Sequence, residues 1–119
     1  MGDYKLAEAE KRFAEIIWEN APVSSSELVR ICEKEMNWKK STTYTVLKKL
    51  CGKGIFQNEN AVVTAKLTKE EFYGKQSRKY VEDLFEGSLP RFLTAFCGGK
   101  KLSEKEAEEI RKWIEEYRE

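Results

Sequence analysis

A chain of 119 residues with 40% hydrophobic content carries enough apolar side chains for one compact domain with an appendage, and too few for two large independent cores. Its formal net charge is +1, so any affinity for nucleic acid has to be sought in where the charges sit, not in their sum. Histidine is absent, which removes the commonest general base and the commonest metal ligand together. With no CxxC pair, no Gly-rich phosphate loop and no nucleophile elbow, neither an enzyme, a metal site nor a cofactor is expected.

No apolar run approaches the roughly 20 residues that span a bilayer. Met1-Gly2-Asp3-Tyr4-Lys5 lacks the basic-then-apolar layout of a secretory signal, so a cytoplasmic chain without membrane insertion is expected. Cys32, Cys51 and Cys97 are odd in number and far apart. They read as free thiols packing as small hydrophobes.

Residues 6–20 (LAEAEKRFAEIIWEN) place Leu6, Ala9, Phe13, Ile16 and Ile17 on one side at helical spacing, which predicts a first amphipathic helix. Ala21-Pro22 ends it, because proline lacks the N–H and pushes its predecessor out of the helical region. A short strand at Val23 is expected next. Serines 24–26 supply capping oxygens for a second helix running to about Met36, with Leu28, Val29 and Cys32 inward. After the break at Asn37-Trp38, a third helix is expected over about residues 41–53. Its buried stripe is Thr43, Val46, Leu47 and Leu50, and Gly52 and Gly54 end it. The period then changes: residues 55–57 and 61–67 read as two strands around a polar turn at 58–60. Three short helices followed by a hairpin is the order of a winged helix-turn-helix, whose third helix is the recognition element.

Beyond residue 68 the helical period returns. Thr68 caps a fourth helix with Glu70 and Glu71 in its first turn, where the helix dipole favours negative charge. Gly87 breaks that helix, residues 88–97 form a shorter one, and Gly98-Gly99 is a hinge. Ser103 with Glu106 has the spacing of a capping box for a last helix carrying Ala107, Ile110, Trp113, Ile114 and Tyr117. The fold class is therefore mainly α with a small β-hairpin: a winged-helix DNA-binding domain over residues 1–68 and a helical dimerisation region over 69–119.

From Lys39 to Lys53 there are five lysines (39, 40, 48, 49 and 53) and no acidic residue. Rotation by about 100° per residue sets Ser41, Thr45 and Lys48 opposite the buried stripe, with Thr42, Tyr44 and Lys49 beside them. Lys39, Lys40, Ser41, Thr42, Tyr44, Thr45, Lys48, Lys49 and Lys53 are the candidate DNA-binding residues. Lysines neutralise phosphates, hydroxyls reach phosphates or base edges, and a Thr methyl packs on thymine's methyl. Arg, Asn and Gln, the side chains best suited to bidentate base readout, are absent from that face, so part of any specificity falls to DNA shape or water. The plainer alternative is a solvated lysine face.

The tail's apolar side chains have little to bury except each other or a second copy. Phe72, Tyr80, Leu84, Leu89, Phe92, Phe96, Ile110, Trp113, Ile114 and Tyr117 are the candidate dimer interface. A homodimer would set two recognition helices on successive major grooves roughly 34–36 Å apart. A partner protein is an alternative use of the same faces. Trp18, Trp38 and Trp113 read as core or interface aromatics.

Several residues taken together resemble the penicillinase repressor family of winged-helix transcriptional repressors. These are Ile17-Trp18-Glu19, Trp38, Thr42 and Thr45 with Leu50 and Lys53-Gly54, and Leu84-Phe85 leading into Gly87-Ser88-Leu89. The likeness extends over nearly the whole chain. It implies a dimeric repressor on double-stranded, inverted-repeat operator DNA with TACA and TGTA half-sites, governing β-lactam resistance or copper handling. By position, Ser41, Thr42 and Thr45 match the family's operator-contacting hydroxyls. In antibiotic-responsive members a sensor-triggered protease cuts an Asn-Phe bond in the tail; here Ala95-Phe96 stands at that position, without the asparagine. Copper-responsive members carry Cys-x-Cys pairs near the C-terminus, and this chain has none, so copper sensing is not expected. The family's wing tends to be longer and basic, whereas residues 57–65 contain no Lys or Arg. The alternative function is therefore a winged-helix protein-interaction module without DNA binding. A sensor protease as partner and a redox role for Cys97 stay open.

Overall fold

The computed structural model describes residues 4–119; Met1, Gly2 and Asp3, the start of the run that lacks a signal layout, lie outside the described residues. The elements in chain order are α1 (Glu8–Asn20), β1 (Val23–Ser24), α2 (Ser25–Met36), α3 (Lys40–Gly52), β2 (Phe56–Glu59), β3 (Val62–Ala65), α4 (Lys69–Phe85), α5 (Leu89–Cys97) and α6 (Glu104–Tyr117). The chain divides into two compact units, the first ending at Arg78 and the second running from Lys79 to Glu119.

In the first unit the expected stripes meet. Phe13 and Ile17 of α1, Leu28 and Cys32 of α2, Leu50 of α3, then Ile55 and Val63 have no exposed surface. Each such aliphatic or aromatic side chain contributes about 1.5–3 kcal/mol when taken from water. Ala9 differs from expectation: it is exposed, because α1 begins only at Glu8 and its first turn lies past the edge of the core. Val29 and Val46 are half-buried. α2 begins on Ser24, whose Oγ accepts from the Glu27 N–H at 3.1 Å, and ends on Asn37 at φ +56°, a left-handed conformation that asparagine tolerates. Gly52 remains helical, and the left-handed exit from α3 falls to Gly54 at φ +82°.

The hairpin is the larger departure. Asn58 and Glu59 belong to β2, and the turn is the two-residue loop Asn60-Ala61 between the paired residues Glu59 and Val62. Both loop residues have positive φ, +53° and +61°, as a type I′ turn requires to match the right-handed strand twist. Polarity alone placed the turn at residues 58–60, beginning two residues early. β1 also joins the sheet, in the order β1-β3-β2, pairing Val23 with Val63 and Ser24 with Val62. The Ser25 N–H donates to the Ala61 carbonyl at 2.9 Å, so the wing is tied to the start of α2.

Trp18 closes the unit. Its Nε1–H donates to the Leu67 carbonyl at 2.9 Å, and its ring meets Phe56 at 5.3 Å and Phe72 at 5.7 Å. Thr68 caps α4 reciprocally with Glu71: the Glu71 N–H donates to the Thr68 Oγ1 and the Thr68 N–H to the Glu71 carboxylate.

The second unit contains no buried side chain. Ser103 caps α6 as expected, accepting from the Glu106 N–H, and Ser88 caps α5, accepting from the Arg91 N–H. Phe92 gathers Tyr80, Phe85 and Phe96 at 5.6–6.2 Å, and Trp113 stacks on Tyr117 at 5.0 Å. Among the described residues no helix is long and apolar enough to cross a membrane.

Candidate nucleic-acid interface

α3 is held from beneath by Thr43, Leu47 and Leu50, with Tyr44, Val46 and Cys51 half-buried against the same core. What remains outward is Lys39, Lys40, Ser41, Thr42, Thr45, Lys48 and Lys49, all exposed. The helix thus brings seven of the nine expected residues onto open surface. Tyr44 is half-buried, and Lys53, also half-buried, donates from Nζ to the Lys5 carbonyl at 3.0 Å.

Among the described helices, α3 alone begins with neither a side-chain cap nor a first-turn acid; α1 also opens without a side-chain cap, on Ala7, but carries Glu8 and Glu10 in its first turn. α2, α4, α5 and α6 each open on a serine or threonine whose oxygen accepts a first-turn N–H. α3 opens on Lys39, with no side-chain cap and no acid in its first turn. First-turn N–H groups and the positive end of the helix dipole therefore lie beside two lysines, an arrangement suited to an anion such as a phosphate. This feature was readable at residues 37–40, where Asn-Trp-Lys-Lys offers no Ser, Thr or Asp immediately before the helix.

Lys49 is not an isolated cation. Its Nζ donates to Oε2 of Glu10 on α1, and the other carboxylate oxygen accepts the Ala7 N–H at 2.9 Å. The Lys49 ammonium foremost, and the Ala7 N–H after it, hold the Glu10 carboxyl below its ordinary value. No local sequence signal links residues 39 positions apart.

Cys32 and Cys51 lack the environment of reactive cysteines. Cys32 is fully buried, and burial, opposed by a hydrogen bond with Thr43, pushes its pKa up to about 11. Burial also raises Cys51. Cys97 is half-buried at the end of α5. Among the described residues no group of three or more His, Cys, Asp or Glu side chains is placed to hold a metal ion.

Of the residues expected at a pairing surface, Phe72 requires correction. It has no exposed surface and is enclosed within the first unit by Tyr4, Trp18 and Tyr73 at 5.3–5.8 Å, so it has no face left for a partner. Tyr80, Leu84, Leu89, Phe96, Trp113, Ile114 and Tyr117 are exposed, Phe96 to 70%. Phe92 and Ile110 are half-buried.

Three helices, a three-stranded antiparallel wing and an outward basic third helix, continued by a helical tail, define a winged helix-turn-helix protein with a C-terminal helical extension. The chain belongs to the penicillinase repressor family, whose members are transcriptional repressors: the model described as Penicillinase repressor matches residues 6–116. It is similar to the penicillinase repressor of Bacillus licheniformis, 21% identical over 118 residues, covering 96% of this chain and 92% of the relative. It is also similar to the methicillin resistance regulatory protein MecI of Staphylococcus aureus, 22% identical over 112 residues, covering 91% of each.

Proposed function

We propose that the chain is a cytoplasmic, homodimeric repressor that binds an inverted-repeat operator in double-stranded DNA and controls resistance or stress genes. Residues 1–68 contact DNA and residues 69–119 pair two copies, Phe72 excepted. The observation that carries the reading is the outward face of α3, free of acids and opening on an uncapped helix start flanked by Lys39 and Lys40. Lys39, Lys40 and Lys48 neutralise phosphates, with Lys49 and Lys53 at the flank. Ser41, Thr42 and Thr45 reach phosphate or base edges. The wing turn, built of Asn60 and Ala61, adds no cation, so α3 carries most of the electrostatic affinity.

Pairing is supported by the second unit's composition. A segment with no buried side chain and exposed Leu84, Phe96, Trp113 and Tyr117 leaves much of its apolar surface in water as a single copy. Two copies related by a twofold axis cover it in one self-complementary contact.

The test is a fluorescence-anisotropy titration of a duplex carrying TACA and TGTA half-sites beside a scrambled duplex, across a salt series. The expected result is a preference of at least ~10³ for the half-site duplex. Its affinity is expected to fall by about 0.9 log units per log unit of salt for each phosphate neutralised. Absence of binding to either duplex at low salt overturns the reading in favour of a protein-interaction module.

A further inference from the structure

We infer that Glu10 of α1 is an intramolecular competitor of the DNA backbone, holding Lys49 of the recognition helix and thereby limiting the chain's sequence-independent affinity for phosphate. The inference rests on the DNA-binding reading above and adds a residue outside α3 to it.

Three observations carry it. Glu10 is fixed: Oε1 accepts the Ala7 N–H at the start of α1 while Oε2 accepts from Lys49, and its side chain is only 14% exposed. Lys49 is the open partner, 56% exposed, on the same helix as the groove-facing hydroxyls. Finally, the pair carries no net charge, so a phosphate gains Lys49 only by drawing the ammonium off a carboxylate that stays behind and repels it. A carboxylate anchored by a backbone N–H does not swing away to make room. The cations of α3 left to phosphate are then concentrated at its first turn, in Lys39 and Lys40, and at Lys48.

The geometry resembles the way an acidic residue occupies a basic site in place of a nucleic-acid phosphate, here across 39 residues of one chain. Because phosphate contacts carry no sequence information, Glu10 acts equally on operator and non-operator DNA.

The experiment compares full-length wild type with Glu10→Gln, Lys49→Gln and the double variant, on the half-site and scrambled duplexes over a salt series. Glutamine keeps a carbonyl oxygen for the Ala7 N–H, and melting curves establish that each variant is folded. Glu10→Gln is expected to tighten binding to both duplexes by roughly eightfold per protomer at 0.1 M salt and to steepen the salt slope by about 0.9 per protomer. The double variant is expected to lose that gain, and Lys49→Gln to cost less affinity than Lys48→Gln. Glu8→Gln removes a neighbouring carboxylate that pairs with Lys11 instead and controls for long-range charge. Binding by wild type with no gain in Glu10→Gln overturns this inference and leaves the DNA-binding reading standing. So does a gain that persists in the double variant or appears equally in Glu8→Gln. Failure of every protein to bind either duplex at low salt overturns both.

Discussion

Replacing Phe72 with alanine tests whether the opening of α4 belongs to the core of the first unit. Phe72 has no exposed surface and touches three rings, with Tyr4 and Tyr73 in edge-on geometry. A Phe→Ala change at such a site costs about 3–5 kcal/mol, and loss of each aromatic pair adds to the area term by about 0.5–1.5 kcal/mol. Against a total of roughly 5–15 kcal/mol for a native domain, that deficit removes much of the stability. Urea unfolding, followed by the fluorescence of the three tryptophans, is the assay. If Phe72→Ala is already unfolded without urea, Phe72→Leu grades the same site at about 1–1.5 kcal/mol. Protein concentration separates the two roles proposed for an apolar residue here. A core residue gives a deficit that is the same at every concentration, whereas a residue lost from a pairing surface gives one that depends on dilution through mass action. A deficit below about 1 kcal/mol, or one set by dilution, refutes the placement of Phe72 in the core.

Ala61→Gly is expected to stabilise the chain by about 0.5–1 kcal/mol, since Ala61 holds φ +61° where a side chain is strained and glycine is not; the midpoint of thermal unfolding should rise by a few degrees. For Glu10, whose folded pKa is depressed, the stability advantage of wild type over Glu10→Gln should be full above the ordinary value of 4.5. It should vanish as pH falls through the lower folded value, as urea titrations across acidic pH will report. Lys48→Glu should weaken binding to every duplex alike, while Thr45→Ala should change the ranking of operator variants more than the overall affinity; unchanged affinity in Lys48→Glu removes that face from consideration. Ile114→Asp should yield monomers by light scattering, because it sets a charge in an apolar contact.

Much of the first unit was legible because its helices are short, amphipathic and punctuated. Phe13 and Ile17, Leu28 and Cys32, and Leu47 and Leu50 fall at helical spacing, and the oxygens of Ser24 and Thr68 stand where caps belong. What escaped was set by partners distant in sequence. Asn58, Glu59 and Asn60 are equally polar and Ala61 is apolar, so composition alone could not set the turn at Asn60-Ala61; the register of β2 against β3 decides it. Phe72 and Tyr80 are both aromatic residues of one helix, and periodicity does not reveal that Tyr4 and Trp18 enclose the first and leave the second half exposed. The basic run of α3 was visible as charge, while the neutralisation of Lys49 depends on a carboxylate from α1.

The absence of any interior in the second unit has a consequence for how long such a molecule lasts. Given the proposed pairing, a lone copy keeps its tail aromatics open to water, and such copies are those that chaperones and proteases remove. Pairing by mass action makes the lone fraction grow on dilution, so lifetime becomes a function of abundance. A modest drop in synthesis would then clear the protein out of proportion to the drop, turning a gradual change in supply into a sharp release of whatever it holds silent.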